Sequence, residues 1–311
     1  MMYAIETYNL TKQYGDKIAV NHISLKVSSG EIFGFLGRNG AGKSTFINML
    51  TGISLPSQGE FKLLGKPMSQ KQRKQIGVLP DYSTFYNHMT ALQHLRYFSK
   101  VQGIKLSIEE ASTFLKKVGL LGSQHQKVKN FSFGMKKKLG IAQAICSNPT
   151  LIFLDEPTSG VDMESALSIH ALIKELQAEG KTIFMTSHNL HEVEKLCTRI
   201  AIMKDVEIVT EGTMEDLRSQ HQKKKRVVIK HDPYPTNQSK SIKQLFRTLS
   251  PKFECGHTET TVMLTSRKNI PFLIRELTQL DVNLYKVEVE EPSLENIFLQ
   301  ENTSPTLHVN N

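Results

Sequence analysis

The stretch GRNGAGKST, from Gly37 to Thr45, decides the fold. It matches the pattern G-x-x-x-x-G-K-[ST], follows the apolar run EIFGFLG at 31–37 and precedes apolar residues with helical spacing at 46–50. Glycines at 37, 40 and 42 let the backbone turn tightly and direct its N–H groups at an anion, which the N terminus of the following helix also attracts. This order of strand, loop and helix predicts a phosphate-binding loop and not merely a glycine-rich turn.

The side chains of this loop predict a nucleotide with a bound Mg²⁺ ion. Lys43 is placed to reach the β- and γ-phosphates, and the hydroxyl of Ser44 is a suitable Mg²⁺ ligand. The whole loop is predicted to contact the nucleotide, namely Gly37, Arg38, Asn39, Gly40, Ala41, Gly42, Lys43, Ser44 and Thr45.

Two further apolar runs end in residues that suit phosphate chemistry. LIFLDEP, residues 151–157, reads as a strand buried on both faces, with Asp155 and Glu156 at its carboxyl end. We predict that Asp155 holds Mg²⁺ through a water and that Glu156 polarises the attacking water. Two carboxylates that cap the next helix are the alternative. TSH ends the next run. His188 there is predicted to donate to the γ-phosphate or to orient the water, and a structural role is the alternative.

The segment FSFGMKKKLG, residues 131–140, has two interpretations. Ser132 is a good N-cap for the helical pattern that follows, with the three lysines on its solvent face. Alternatively, Ser132 belongs to half of a nucleotide site that a second molecule completes.

Composition excludes several other classes of protein. The 311 residues carry a net charge of +9 and contain no apolar run near the roughly 18 residues that span a bilayer. The start shows no basic segment before an apolar core, and three cysteines without a CxxC pair are typical of reduced thiols. A cytoplasmic protein is therefore expected. The positive charge indicates either acidic partners or a solvated basic surface.

The order of elements predicts an α/β fold with a mostly parallel sheet covered on both faces. Strands and helices alternate through residues 1–219, a basic linker follows at 220–226, and a smaller α/β domain is predicted for 227–300. Residues 301–311 are polar and lack periodicity, so we expect a disordered tail.

Taken together, the motifs resemble an ABC-transporter ATP-binding subunit over about the first 215 residues. Tyr14 matches the aromatic residue that stacks on adenine, although it could also be an ordinary edge-strand tyrosine. SGVD, ending at Asp162, resembles the loop that crosses between subunits, and His188 matches the switch histidine. FSFGM stands where the family has its signature LSGGQ, so the resemblance assigns Ser132 and Gly134 to the γ-phosphate held by the opposite subunit.

The resemblance implies a P-loop NTPase fold with an antiparallel β subdomain and a helical subdomain at about 82–134. It implies that ATP with Mg²⁺ is bound in a head-to-tail homodimer, that ATP is hydrolysed, and that separate membrane permease subunits carry the substrate. The protein would then lie on the inner face of the cell membrane, attached through the permease. No nucleic-acid partner is expected.

Four residues depart from the family pattern. Phe133 and Met135 replace a glycine and a glutamine of the signature, and Met163 stands where proline is common. Asp81 stands where most relatives have a glutamine at the hinge of the helical subdomain, and we expect it to keep a contact with the metal.

A carboxylate after LP, the SxGM signature and the ending EPSLENIF resemble exporters of the bacitracin- and lantibiotic-resistance type, within the broader ABC-2 type. Export of a peptide, antibiotic or other amphipathic molecule is predicted. EPSLENIF is either a helix that covers the small sheet or a dimer contact.

The aromatic stretch from 81 to 98 is predicted to receive the permease, with Phe85 and Tyr86 in an exposed groove. Two competing classes fit less well. A translation or DNA-repair ABC protein would show tandem nucleotide domains or a coiled-coil insertion. The other class is a non-hydrolysing nucleotide sensor, and Asp81 is the one residue of the sequence that favours it.

Overall fold

A computed structural model describes residues 2–81, 84–221, 225–266 and 268–290. The chain forms two compact units, the first ending at Met214 and the second beginning at Glu215. The predicted linker at 220–226 coincides with the end of a helix and the start of a strand, with residues 222–224 outside the description. The segment EPSLENIF and the predicted tail also lie outside the described residues.

A central six-stranded sheet organises the first unit. Five strands run parallel in the order β5-β6-β7-β3-β8, and β9 closes the edge antiparallel to β8. This confirms the predicted mostly parallel sheet. The strands are β3 (Ile32–Gly37), β5 (Ile76–Leu79), β6 (Leu151–Asp155), β7 (Thr182–Ser187), β8 (Arg199–Lys204) and β9 (Glu207–Thr213).

An antiparallel sheet of three strands accompanies it in the order β2-β1-β4. The strands are β1 (Tyr3–Tyr14), β2 (Lys17–Ser28) and β4 (Gln58–Leu63). The sequence pattern does not predict β4, β5 or β9, because β4 is mostly exposed, β5 has four residues and β9 is half-buried along its whole length. None of these three presents a clear alternation of buried and exposed residues.

Seven α-helices are described within this unit, and an eighth starts at its last residue, Met214, and continues in the second unit. They are α1 (Lys43–Leu50), α2 (Gln70–Arg73), α3 (Ala91–Val101), α4 (Ile108–Lys117), α5 (Phe133–Ile145), α6 (Met163–Ala178), α7 (Leu190–Leu196) and α8 (Met214–His221). Capping boxes start α3 at Thr90 and α4 at Ser107, where side chain and backbone satisfy each other's donors. No helix among the described residues is long and apolar enough to cross a membrane.

Stacked phenylalanine rings fix α1 on the central sheet. Phe46 of α1 packs on Phe35 of β3 with ring centroids 5.0 Å apart, and both rings contact Phe184 of β7. All three side chains are fully buried. This packing sets the position of the loop between β3 and α1, which carries the glycine-rich motif.

The second unit is a small α/β domain of its own. Its antiparallel sheet has the order β11-β12-β10-β13, and two helices pack together beside it with a separate apolar core. The elements are β10 (Lys225–His231), α9 (Ser239–Leu249), β11 (Phe253–Cys255), β12 (Glu259–Leu264), α10 (Asn269–Gln279) and β13 (Leu284–Glu290). Only the short β11 departs from the predicted strand–helix–strand–helix–strand order.

Candidate active site

The loop between β3 and α1 has a backbone that only glycine tolerates at its tightest point. Gly42 has φ of 109°, and a Cβ atom there would lie 2.2 Å from the carbonyl oxygen of Ala19. A Cβ on Gly37 would lie 2.7 Å from the carbonyl oxygen of Met203. The loop is therefore held closely between β2 and β8, and a side chain at either position would displace it.

Lys43, the first residue of α1, places its ammonium inside this loop. The side chain is 6% exposed, and Nζ donates to the carbonyl oxygens of Gly37 at 2.8 Å and Arg38 at 3.3 Å. Its third neighbour is Oε1 of Glu156, at 3.6 Å. The cation is thus fixed where the sequence motif expects a phosphate contact.

One hydroxyl of β7 contacts both acidic residues at the end of β6, the carboxylate of Asp155 and the backbone of Glu156. Thr186 Oγ1 donates to Asp155 Oδ1 at 2.5 Å and accepts from the backbone N–H of Glu156 at 2.9 Å. Glu156 itself has φ of 49°, a left-handed conformation that turns its side chain out of the strand direction. Thr186 was not predicted as a site residue, although it precedes the Ser-His pair at the end of its strand.

The two carboxylate oxygens of Glu156 have different surroundings. Oε2 lies 2.8 Å from Nδ1 of His188. Oε1 is buried, and no hydrogen-bond partner is found for it within the described residues, although the ammonium of Lys43 is nearby. An oxygen in this position suits a water molecule as its partner.

A cavity of about 890 Å³ joins these groups. Nine predicted residues line it: Asn39, Gly40, Gly42, Lys43, Ser44, Thr45, Asp81, Glu156 and His188. The predicted metal ligand Asp155 is not among the lining residues; it is buried, and Thr186 Oγ1 donates to its Oδ1. Gly37 supplies a carbonyl to Lys43 from beneath the loop.

Several residues that line the cavity were not predicted from the sequence, among them Lys17, Ile18, Ala19 and Val206. Val206 has φ of 68°, which is rare for a β-branched residue, and its carbonyl accepts from the N–H of Asn21. No sequence motif marks these positions, because they meet only when β2 and the β8–β9 turn come together.

Tyr14 lies apart from the residues that line the cavity. Its side chain is half exposed, the ammonium of Lys12 lies 4.8 Å from its ring centroid, and its hydroxyl is 3.4 Å from Oγ of Ser54. Stacking of this ring on adenine remains a prediction.

Ser132 is the N-cap of α5, as predicted. Its Oγ accepts from the N–H of Met135 at 3.2 Å, and the residue is exposed. Gly134 is buried, and a Cβ there would lie 2.7 Å from Oγ of Ser165, so this glycine also permits the close approach of α5 and α6. Neither residue lines the cavity of its own chain, which leaves their proposed role toward another subunit as a prediction.

The loop before α6 is placed at the rim of the same cavity. Ser159 and Gly160 line it, and the exposed ring of Phe133 lies against Gly160. Asp162 caps α6 by accepting from the N–H of Ser165 at 2.9 Å, and this backbone hydrogen bond lowers the pKa of the Asp162 carboxyl. The ring of Phe133 therefore lines the cavity of its own chain.

A buried carboxylate that the motifs do not mark connects this loop with His188. Glu192 of α7 is 3% exposed and accepts from Thr158 Oγ1 at 2.6 Å and from Ser187 Oγ at 2.7 Å. His170 of α6 is a third partner at 2.9 Å. Since Thr158 precedes the SGVD loop and Ser187 precedes His188, Glu192 fixes the spacing of the two.

Asp81 follows β5 and faces a cation from α5. Lys137 Nζ lies 3.5 Å from Asp81 Oδ1 and 3.2 Å from its carbonyl oxygen. The interpretation of the three lysines as a solvent-facing run is wrong for Lys137, whose side chain is only 5% exposed. The helical period places the central lysine toward the sheet and its neighbours toward the surface.

The donor set suits Mg²⁺ as part of a nucleotide complex. No group of three His, Cys, Asp or Glu side chains that could hold a metal alone occurs in the described part of the chain. Mg²⁺ in phosphate-transfer sites needs only one or two protein oxygens, because phosphates and waters supply the others. The exposed Ser44 lines the cavity and can supply one such oxygen, whereas Asp155 is 4% exposed and its Oδ1 accepts from Thr186.

Family models match both units of the chain. Residues 20–159 match the model described as ABC transporter. Residues 212–301 match the model for the C-terminal domain of DrrA1-3-like ATP-binding proteins.

Several curated proteins are similar over most of the chain. The uncharacterized ABC transporter ATP-binding protein YcbN of Bacillus subtilis is 33% identical over 307 residues, covering 96% of this chain and 97% of its own length. The linearmycin resistance ATP-binding protein LnrL of the same organism is 32% identical, covering 95% and 97%. The bacitracin transport ATP-binding protein BcrA of Enterococcus faecalis is 37% identical over 72% of this chain and 73% of its own.

Solved structures match the fold of the first unit. An ATP-binding subunit of an ABC transporter superimposes with a TM-score of 0.63 at 28% identity, covering 70% of this chain and 92% of the other. A dimeric bacterial ABC transporter cassette, MJ0796, gives a TM-score of 0.63 at 26% identity, with 68% and 98% covered.

Replacement of Thr186 by valine tests whether the Thr186 hydroxyl positions Asp155 and Glu156. Thr186→Val keeps the side-chain shape but removes one donor to Asp155 and one acceptor for Glu156. We expect the free energy of unfolding to fall by about 1–3 kcal/mol. We also expect kcat for ATP hydrolysis to fall by about tenfold to a hundredfold, because the carboxylates lose their alignment.

Thr182→Val is the matched control, since Thr182 is equally buried at the other end of β7 and accepts from the N–H of Gly30. It should lower stability and leave kcat unchanged. Equal effects of the two variants on kcat would contradict the assignment of Thr186 to the site.

Proposed function

The chain belongs to the ABC transporter ATP-binding proteins, and from this premise we propose that it powers a membrane exporter by hydrolysing ATP in the cavity beside Lys43. Proteins of this family bind and hydrolyse ATP and couple that reaction to transport. The observation that carries the site assignment is the convergence of Lys43, Glu156 and His188 on one cavity. These side chains supply an anion contact, a base and a partner that orients the base.

Binding would begin at the loop from Gly37 to Thr45. Its backbone N–H groups and the N terminus of α1 attract the triphosphate, and Lys43 pairs with the terminal phosphates. Ser44 and Asp155 would hold Mg²⁺, which neutralises phosphate charge when bound. Phosphate oxygens compete with Glu156 for the ammonium of Lys43, so binding releases Glu156 Oε1 to accept from a water.

Hydrolysis would then use Glu156 as the general base. Oε1 takes a proton from the water, the water oxygen bonds to the γ-phosphorus, and the bond to the bridging oxygen breaks to leave ADP and phosphate. His188 steadies the carboxylate through Nδ1 and Oε2, which lie 2.8 Å apart. In this position His188 can also stabilise, by donating a hydrogen bond, the negative charge that develops on the departing phosphate.

A second copy of the chain is proposed to complete each site. Ser132 is exposed at the start of the 13-residue helix α5, whose N terminus favours an anion. In a head-to-tail dimer, Ser132 of one copy would face the γ-phosphate held by Lys43 of the other. The dimeric arrangement of the similar cassette MJ0796 supports this proposal. Asp162, exposed at the start of α6, would lie at the same interface.

The permease is proposed to dock on an aromatic surface of the helical segment, made of Phe85, Tyr86, Tyr97 and Phe98. Tyr86 and Tyr97 are exposed and contact each other edge to face at 5.3 Å. Phe85 is half-buried against His94, so it supports the surface more than it contacts a partner. Burial lowers the pKa of the His94 imidazole, which favours a neutral ring inside this cluster.

An amphipathic antibiotic-like molecule is the proposed substrate class. Similar proteins are named for bacitracin transport, linearmycin resistance and Nod factor export. Contacts with the exported molecule would belong to the permease, through which this protein would be held at the inner face of the cell membrane.

Two substitutions of Ser132 distinguish its role as the N-cap of α5 from its proposed contact with a phosphate. Asparagine and aspartate are both good N-caps and nearly equal in shape, but only aspartate brings a negative charge. In the Glu156→Gln background, where hydrolysis is blocked, we expect Ser132→Asn to retain an ATP-dependent dimer in sedimentation. We expect Ser132→Asp to weaken it by about tenfold or more, because its charge faces a phosphate. Equal dimerisation of the two variants would contradict the shared site.

Removal of the two exposed tyrosines tests the docking surface. Tyr86→Ala with Tyr97→Ala should lower ATPase stimulation by a co-expressed permease by about tenfold, since buried aromatic side chains dominate interfaces. The basal ATPase rate should be unchanged. Phe272→Ala, which removes an exposed aromatic side chain of the second unit, is the control. Unaltered stimulation in the double variant would exclude this surface.

A further inference from the structure

Lys137 connects three segments that surround the candidate active site. Its Nζ donates to the carbonyl oxygen of Glu156 at 2.9 Å and to the carbonyl oxygen of Asp81 at 3.2 Å. The carboxylate oxygen Oδ1 of Asp81 lies at 3.5 Å. A single ammonium from α5 thus joins the end of β6 to the segment after β5.

The charge balance explains why this lysine is retained in the interior. The Lys137 side chain is 5% exposed and that of Asp81 is 30% exposed. A buried ammonium requires both a counter-charge and hydrogen-bond acceptors, and Asp81 with the two carbonyls supplies them. In turn, Lys137 balances a carboxylate that would otherwise bring an unpaired negative charge to a site for a polyanion.

We propose that Lys137 is a positioning residue for hydrolysis, which sets the backbone of Glu156 through its carbonyl and keeps Asp81 charge-paired. The proposal rests on the function proposed above, in which Glu156 is the base. Glu156 sits at φ of 49°, so its side-chain direction depends on what restrains its own peptide carbonyl. Lys137 of α5 donates to that carbonyl at 2.9 Å, and the backbone N–H of Ser159 adds a longer contact at 3.3 Å.

The position of Lys137 on α5 also links the carbonyl of Glu156 to Ser132. The same helix begins at Ser132, five residues earlier, where the nucleotide of the second copy would bind. A helix transmits small displacements along its axis as a rigid body, so closure against Ser132 would also move the ammonium of Lys137. The position of Glu156 would then depend on whether the partner's nucleotide is present.

A purely structural ion pair would behave differently under substitution. It would change the stability of the protein without a selective effect on turnover. A positioning residue lowers kcat while the KM for ATP stays nearly constant, because Lys137 touches neither the nucleotide loop nor the proposed phosphate contacts.

The experiment compares Lys137→Met with Lys136→Met in the full chain. Both variants remove an ammonium from adjacent positions of α5, but Lys136 is partly exposed. We expect Lys137→Met to lower kcat by about tenfold or more with KM for ATP within about twofold, and Lys136→Met to match the wild type. Lys137→Arg, which keeps the charge and the donors, should recover most of the turnover.

A double variant tests the pairing itself. Asp81→Asn removes the carboxylate charge that Lys137→Met leaves unpaired, so kcat of Asp81→Asn/Lys137→Met should exceed that of Lys137→Met by about threefold or more. Equilibrium binding of ATP and the thermal midpoint are measured on each variant as readouts independent of turnover. If Lys137→Met does not fold, the cycle is repeated with Lys137→Gln.

The proposal is overturned if Lys137→Met and Lys136→Met have equal kcat, or if the losses caused by Lys137→Met and Asp81→Asn simply multiply. It is also overturned if the loss in Lys137→Met lies in KM alone. Failure of the proposed function has a different signature. In that case the wild type does not hydrolyse ATP, or Glu156→Gln hydrolyses it at the wild-type rate.

Discussion

The buried ammonium of Lys43 is the interaction on which the rest of the site depends. It is 6% exposed and is held by two carbonyls of its own loop and by the carboxylate of Glu156. Removal of one partner from a buried ion pair costs about 3–5 kcal/mol. The loop, the start of α1 and the end of β6 are therefore linked through one charge. A phosphate that enters this place meets a cation already oriented toward it.

The parallel sheet makes this arrangement possible. Strands β3, β6 and β7 are neighbours through β7, so the glycine loop, the Asp155–Glu156 pair and His188 emerge at one edge. Buried phenylalanine rings fix the strands and α1 behind that edge. Helix α5 then adds the exposed Ser132 at its N terminus and the buried Lys137 five residues later. The site thereby combines groups from β-strand ends with groups from the first half of a helix.

Local sequence patterns were sufficient to predict the elements that contain the nucleotide-binding motifs. The glycine loop, the apolar strands with polar ends and the helices after Lys43 and Asp162 follow from spacing and burial alone. The short or half-buried strands β4, β5 and β9 lack such a pattern. Residues that act across the fold were also missed. Val206 and Thr186 meet the site only through strand pairing. In the sequence Lys137 is one of three adjacent lysines, and only the structure shows that α5 places its side chain in the interior.

Single-turnover hydrolysis of Mg-ATP by the wild type and by Glu156→Gln tests whether Glu156 is the general base. We expect a rate lower by about a hundredfold or more for Glu156→Gln, because a general base is lost, while the equilibrium affinity for ATP stays within a few-fold. Equal single-turnover rates, or a loss confined to ATP affinity, would contradict the assignment of Glu156 as the base beside Lys43.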